Sequence, residues 1–137
     1  MCHPFDRMLL QQWGDANSHF YIGRAYFTGR GVEMDTDKAK HYFEIAAMKG
    51  HMFSRYTLGI MENDDCNIMK AAKHWIIAAE AGSDESLKSL KECFLHGILS
   101  KEDYAKALRA HKESKDEMES AERRAFSAAL AKGHVKC

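Results

Sequence analysis

Residues 22 to 50 read IGRAYFTGRGVEMDTDKAKHYFEIAAMKG. Ile22, Ala25, Tyr26 and Gly29 fall three and four apart, on one face of a helical period. Gly29 and Gly31 then interrupt the pattern, because glycine reaches positive φ cheaply and so ends a helix and turns the chain. Asp35 or Thr36 is placed to cap a second helix by accepting from its free first-turn N–H groups. In that helix Ala39, Tyr42, Phe43, Ala46 and Ala47 make an apolar stripe, large at one end and small at the other. Gly50 closes it. Gly23 carries no side chain and lets the second helix approach the first closely. The stretch predicts a helical hairpin.

Most of the remaining chain is an edited copy of this unit. Gly23 recurs as Gly59, 36 positions on, and Ala46-Ala47 recurs as Ala78-Ala79, 32 positions on. The offsets differ because the second turn, ENDDCN, is four residues shorter and lacks the G-x-G-V of the first. Its Asn63, Asp64 and Asp65 still favour turns and caps. His74 and Trp75 stand where Tyr42 and Phe43 stood, and His74 reads as a packed or rim residue rather than a ligand. A third unit begins at Ser83, with Leu90 matching Leu58, Phe94 matching Tyr26 and Gly97 matching Gly29. Lys91 replaces the close-approach glycine there, so no helix is expected to pack tightly over it. Ser100 and Asp103 resemble a capping box ahead of a helix through Tyr104, Ala107, Leu108 and His111. Residues 112 to 125 are dense in opposite charges three and four apart, the pattern of a solvated helix. Periods of this length mark stacked helical hairpins.

The signature L-G-x-x-Y-x-x-G-x-G-V-x-x-D-x-x-K-A-x-x-Y-x-x-x-A-A-x-x-G, with Ile22 in place of the leucine, resembles the Sel-one-like repeat, a relative of the tetratricopeptide repeat. The fold class expected is all-α, an α-α superhelix of about three helical hairpins with a C-terminal capping helix. The chain divides as one repeat array: an N-terminal cap or remnant hairpin (1–14), repeat 1 (17–50), repeat 2 (51–82), a degenerate repeat 3 (83–113), and a C-terminal helix and tail (114–137). Residues 5 to 13 read as a short helix whose Phe5, Leu9 and Trp13 cover the first full repeat. The resemblance implies adaptor or scaffold proteins, some of them in membrane-associated protein degradation and in signalling. In some relatives a RING-type zinc domain precedes the repeats. The 137 residues contain no cysteine–histidine cluster of that kind.

Composition narrows the function classes. Twenty basic and twenty acidic residues cancel, which leaves no electrostatic footprint for nucleic acid or an anionic membrane. Hydrophobic residues make up 45%, enough for a core, and the single proline is Pro4. No apolar run approaches the ~20 residues of a bilayer span, and the first residues lack the plan of a signal peptide. Cys2, Cys66, Cys93 and Cys137 form no C-x-x-C. They read as reduced intracellular thiols, consistent with a cytoplasmic protein. No phosphate-binding loop, dinucleotide fingerprint, nucleophile elbow or metalloprotease motif occurs. The sequence implies no cofactor, no metal and no catalytic residue.

What remains is surface. Stacked hairpins build an extended concave face suited to binding, so the leading expectation is a scaffold or adaptor for a peptide or protein partner. A substrate-recruiting or regulatory component of a ubiquitin-ligase system is a second reading, and a small helical-repeat enzyme or enzyme activator a third. Self-association into a homo-oligomer is left open. If Ile22, Gly23 and Tyr26 face the partner helix, then Tyr21, Arg24 and Thr28 lie on another side of it. The repeat alignment puts Thr57 and Ile60, and then Ser89 and Glu92, at matching places in the next units. These seven residues are the expected protein-binding stripe, with Tyr21 and Arg24 of the types that dominate binding hot spots.

Overall fold

Helices begin and end in this chain where short polar side chains and residues in the left-handed region stand. The computed structural model describes residues 16–133, and among them the regular structure is six α-helices. These are α1 (Ala16–Thr28), α2 (Thr36–Met48), α3 (Met52–Asp64), α4 (Ile68–Glu80), α5 (Asp84–Leu95) and α6 (Lys101–Ala131). Asp35 caps α2, its carboxylate accepting from Lys38 N at 3.1 Å. Ser83 caps α5 and Ser100 caps α6 in the same way. At the end of α2, His51 N donates to the Ala46 carbonyl and Gly50 N to the Ala47 carbonyl, with Gly50 at φ 89°. This pair of bonds satisfies two carbonyls that the helix leaves open. The same pair recurs around Gly82 and Gly97, and around Cys66 at the end of α3. The N-terminal cap helix expected over residues 5 to 13, with Phe5, Leu9 and Trp13, lies outside the described residues.

Each helix packs on the next: α1 on α2, α3 on α4, and between hairpins α2 on α3 and α4 on α5. The chain is an all-α helical-repeat solenoid. Ala39, Tyr42, Phe43, Ala46 and Ala47 are all buried, together with Phe20, Ile22, Tyr26 and Leu58, in a first apolar cluster. A second cluster gathers Ala71, Ala72, Trp75 and Ala79 of α4 with Leu90 and Cys93 of α5, Leu99 and Ala107. Gly23 and Gly59 occupy equivalent places, seven residues past their helix starts, and each receives an aromatic ring from the second helix. A Cβ on Gly23 would stand 2.8 Å from Phe43 Cδ1, and one on Gly59 would overlap the Trp75 indole. Lys91, the equivalent in α5, is exposed.

Between the first two hairpins runs one buried ionic bridge. Glu62 of α3, only 6% exposed in its side chain, accepts from Lys40 of α2 at 2.8 Å and from Asn67 Nδ2 at 3.2 Å. The Lys40 ammonium holds the Glu62 carboxyl below the usual carboxylate range against the opposing effect of burial.

The last helix, α6, is one continuous element of 31 residues. The boundary drawn at residue 113 therefore falls inside a helix, because nothing between Ser100 and Gly133 breaks it. Its first half lies against α4 and α5. There Ser114 donates to the Glu80 carbonyl, His111 Nε2 lies 2.8 Å from Asp84 Oδ1, and Lys115 Nζ lies 3.2 Å from Asp84 Oδ2. Met118 packs over Gly82, and beyond it residues 121 to 128 are all exposed.

Candidate functional site

The first helices of the three hairpins, α1, α3 and α5, carry the residues expected to bind. On α1, Tyr21, Arg24 and Thr28 are exposed, with Tyr21 at 57%. On α3, Thr57 and Ile60 are half-buried, and on α5 Ser89 is half-buried and Glu92 exposed. Three hydroxyls spend their donors locally. Thr28 Oγ1 donates to the Arg24 carbonyl at 2.9 Å, Thr57 Oγ1 to Phe53 at 2.8 Å, and Ser89 Oγ to Glu85 at 3.2 Å. Each retains acceptor capacity on the surface.

The structure brings Ile60, Ser89 and Glu92 together. They line one groove of about 510 Å³ between α3 and α5, with Ile68, Trp75, Cys93 and Ile98 also in its apolar wall. Asn63 and His96 stand at the polar side, and His96 Nε2 lies 3.7 Å from Glu92 Oε2. Burial pushes the Cys93 thiol up, so it stays protonated and behaves as a small apolar side chain rather than a nucleophile.

Tyr21 belongs to a different cluster on the same helices. Its ring meets Phe20 edge-on at 5.5 Å, Phe20 meets Phe53 edge-on at 5.4 Å, and Phe53 lies 5.8 Å from Tyr56. These rings carry α1 side chains over to α3, and Phe53 leaves half of its surface exposed. Arg24 and Thr28 lie at the α1 end and do not share the groove, and Thr57 sits one turn beyond Phe53 with its hydroxyl turned to its own helix.

Several lining residues escaped the sequence reading. Trp75, Ile68 and Ile98 come from the second helix and from a turn, while the expected stripe drew only on first helices. Phe53 precedes the matched positions by one turn, and its signal was an aromatic on the polar side of an amphipathic pattern. His74 is half-buried with Arg55 Nη1 3.5 Å from its Nδ1. Burial, then the Arg55 charge, pushes its imidazole below the ordinary value. Among the described residues, no three histidine, cysteine, aspartate or glutamate side chains gather as metal ligands. No helix among them is long and apolar enough to cross a membrane.

The Sel1 repeat family model matches residues 16–51, 58–83 and 92–109, together more than half of the chain. The comparison with curated proteins gives no match.

Proposed function

Because the chain belongs to the Sel1 repeat family, we propose that it is a protein-interaction scaffold that docks a peptide or protein segment along α1, α3 and α5. The observation that carries this reading is the groove shared by Ile60, Ser89 and Glu92. Two of these stand at one repeat position in successive hairpins, Ile60 and Glu92, so a repeated surface place becomes one continuous site. An apolar wall with a few polar groups at its edge is the usual make-up of a pocket that accepts an anchoring side chain. The exposed rings of Tyr21 and Phe53 extend the same side of the array, and rigid aromatics contribute most of the energy in many interfaces. The role is non-catalytic.

Selection of a random peptide display library on the purified 137-residue chain tests the reading. Enriched peptides are expected to lose binding when Ser89→Trp fills the groove, while the helical circular dichroism signal stays unchanged. Peptides that bind the Ser89→Trp variant as well as the original chain would place docking elsewhere.

A further inference from the structure

Among the described residues, every residue from 121 to 128 in the second half of α6 is exposed. Among the described residues, α6 is tied to the array ahead of this stretch by Ser114 on Glu80, Lys115 on Asp84 and Met118 over Gly82. A helix exposed all round draws little stability from propensity alone, since most helical stability in proteins comes from packing one face. An i,i+4 pair, Glu119 with Arg123 at 3.5 Å, adds little when both side chains are mostly in water.

The charges of this segment are separated along its length. From Asp116 to Glu122 there are four carboxylates and no basic side chain. From Arg123 to Lys132 there are three basic side chains and no acid. The sign changes between residues 122 and 123. The two large apolar side chains that the segment exposes, Met118 at 42% and Phe126 at 53%, lie symmetrically about residue 122. Two independent patterns, charge and apolar surface, thus share one midpoint.

We propose that residues 116–128 pair with the same segment of a second copy, antiparallel, about a two-fold axis near Glu122. That operation sets the acidic half of each helix against the basic half of the other, twice. It also brings Met118 of one copy level with Phe126 of the other along the helix axes. The interface is isologous, so it closes at two copies. A parallel pairing sets acid beside acid and base beside base, and the charge pattern excludes it. Glu119, Glu122, Arg123 and Phe126 share one face of the helix, around a shallow groove, and this face is the centre of the pairing.

Sedimentation equilibrium of the full chain over micromolar to submillimolar concentration tests the proposal. The chain is expected to show a monomer–dimer equilibrium that weakens with added salt, because the paired charges are solvent-exposed. The variants E119R/E122R and R123E/R124E should each dissociate by at least tenfold. An equimolar mixture of the two should recover association as a heterodimer, at least tenfold tighter than either variant alone. Both variants change exposed positions, and circular dichroism is expected to show each still helical. Should one of them lose helix, Phe126→Ala replaces it and is expected to dissociate the pair as well. A wild-type chain that stays monomeric throughout, or a mixture no tighter than its components, overturns the proposal.

Discussion

The indole of Trp75 lies against Gly59 so closely that a Cβ on residue 59 would overlap the ring, and its Nε1 donates to the Tyr56 carbonyl at 3.3 Å. Phe43 stands over Gly23 in the preceding hairpin in the same way. The missing side chain is thus a condition for the closest approach within the first two hairpins. In α5 the equivalent residue is the exposed Lys91.

Gly59→Leu is therefore expected to lower stability by about 1–3 kcal/mol through overpacking. Lys91→Leu should stay within about 0.5 kcal/mol of the original, as surface changes usually do. Urea midpoints of the two variants check this, and equal midpoints would contradict the packing described.

Cys66 holds the left-handed conformation at φ 63°, in the place that Gly50, Gly82 and Gly97 fill at other helix ends. A residue with a Cβ pays a steric cost there that glycine avoids. Cys66→Gly should raise stability by about 0.5–1 kcal/mol, the gain reduced by the greater freedom of glycine in the unfolded chain. Cys66→Ala should give no such gain. A melting temperature for the glycine variant at or below the original would refute it.

Glu62 provides a pH-dependent contribution whose sign is fixed. Its bond to Lys40 keeps the folded carboxyl more acidic than the ordinary glutamate value of 4.5. Its contribution is present above that value and is lost as pH falls through the folded one. Lys40, raised above 10.5 by the same bond, keeps its share through neutral pH and loses it only as pH rises past its folded value. Glu62→Gln should cost about 1–3 kcal/mol at pH 7, as the loss of a charged hydrogen bond to a buried group does. Its stability should approach that of the original chain as pH falls through the folded carboxyl's range. Denaturation at pH 7, 5 and 3 reads both effects, and a gap that does not change with pH would refute the pairing.

Tyr21→Ala with Arg24→Ala removes exposed groups of α1, so melting temperature and helical signal should remain close to the original. Binding of peptides selected on the unaltered chain should weaken by tenfold or more, the scale of a hot-spot truncation. Unchanged binding, measured by titration calorimetry, would confine docking to the groove beside Ile60 and Ser89.

The hairpins were readable because their signals are local. Gly23 and Phe43 sit 20 residues apart, and within a repeat the spacing of glycine and aromatic already tells which helix faces approach. Lys91 likewise announced a place on α5 that stays exposed. The groove was only half readable, since Ile60, Ser89 and Glu92 follow the period while Trp75, Cys93 and Ile98 converge through the angle between hairpins. That angle is a property of three-dimensional stacking. The Lys40–Glu62 bridge and the His111–Asp84 contact join residues 22 and 27 apart with no motif around either. Their pairing depends on where an entire helix lands. The unbroken length of α6 was foreshadowed by the absence of proline and glycine between Ser100 and Lys132.

The two apolar clusters meet at a single helix. Leu58 of α3 belongs to the first, and Tyr56 and Ile60 pack against the second. Fraying at either end of the array leaves α3 with one intact neighbour, so opening there requires both flanking units to let go. Stability in such a linear stack is the sum of unit and interface terms, and the central pair, α3 with α4, inherits the largest share. Their amide protons should exchange with solvent last, making this pair the keystone from which the array closes and the last part of it to open.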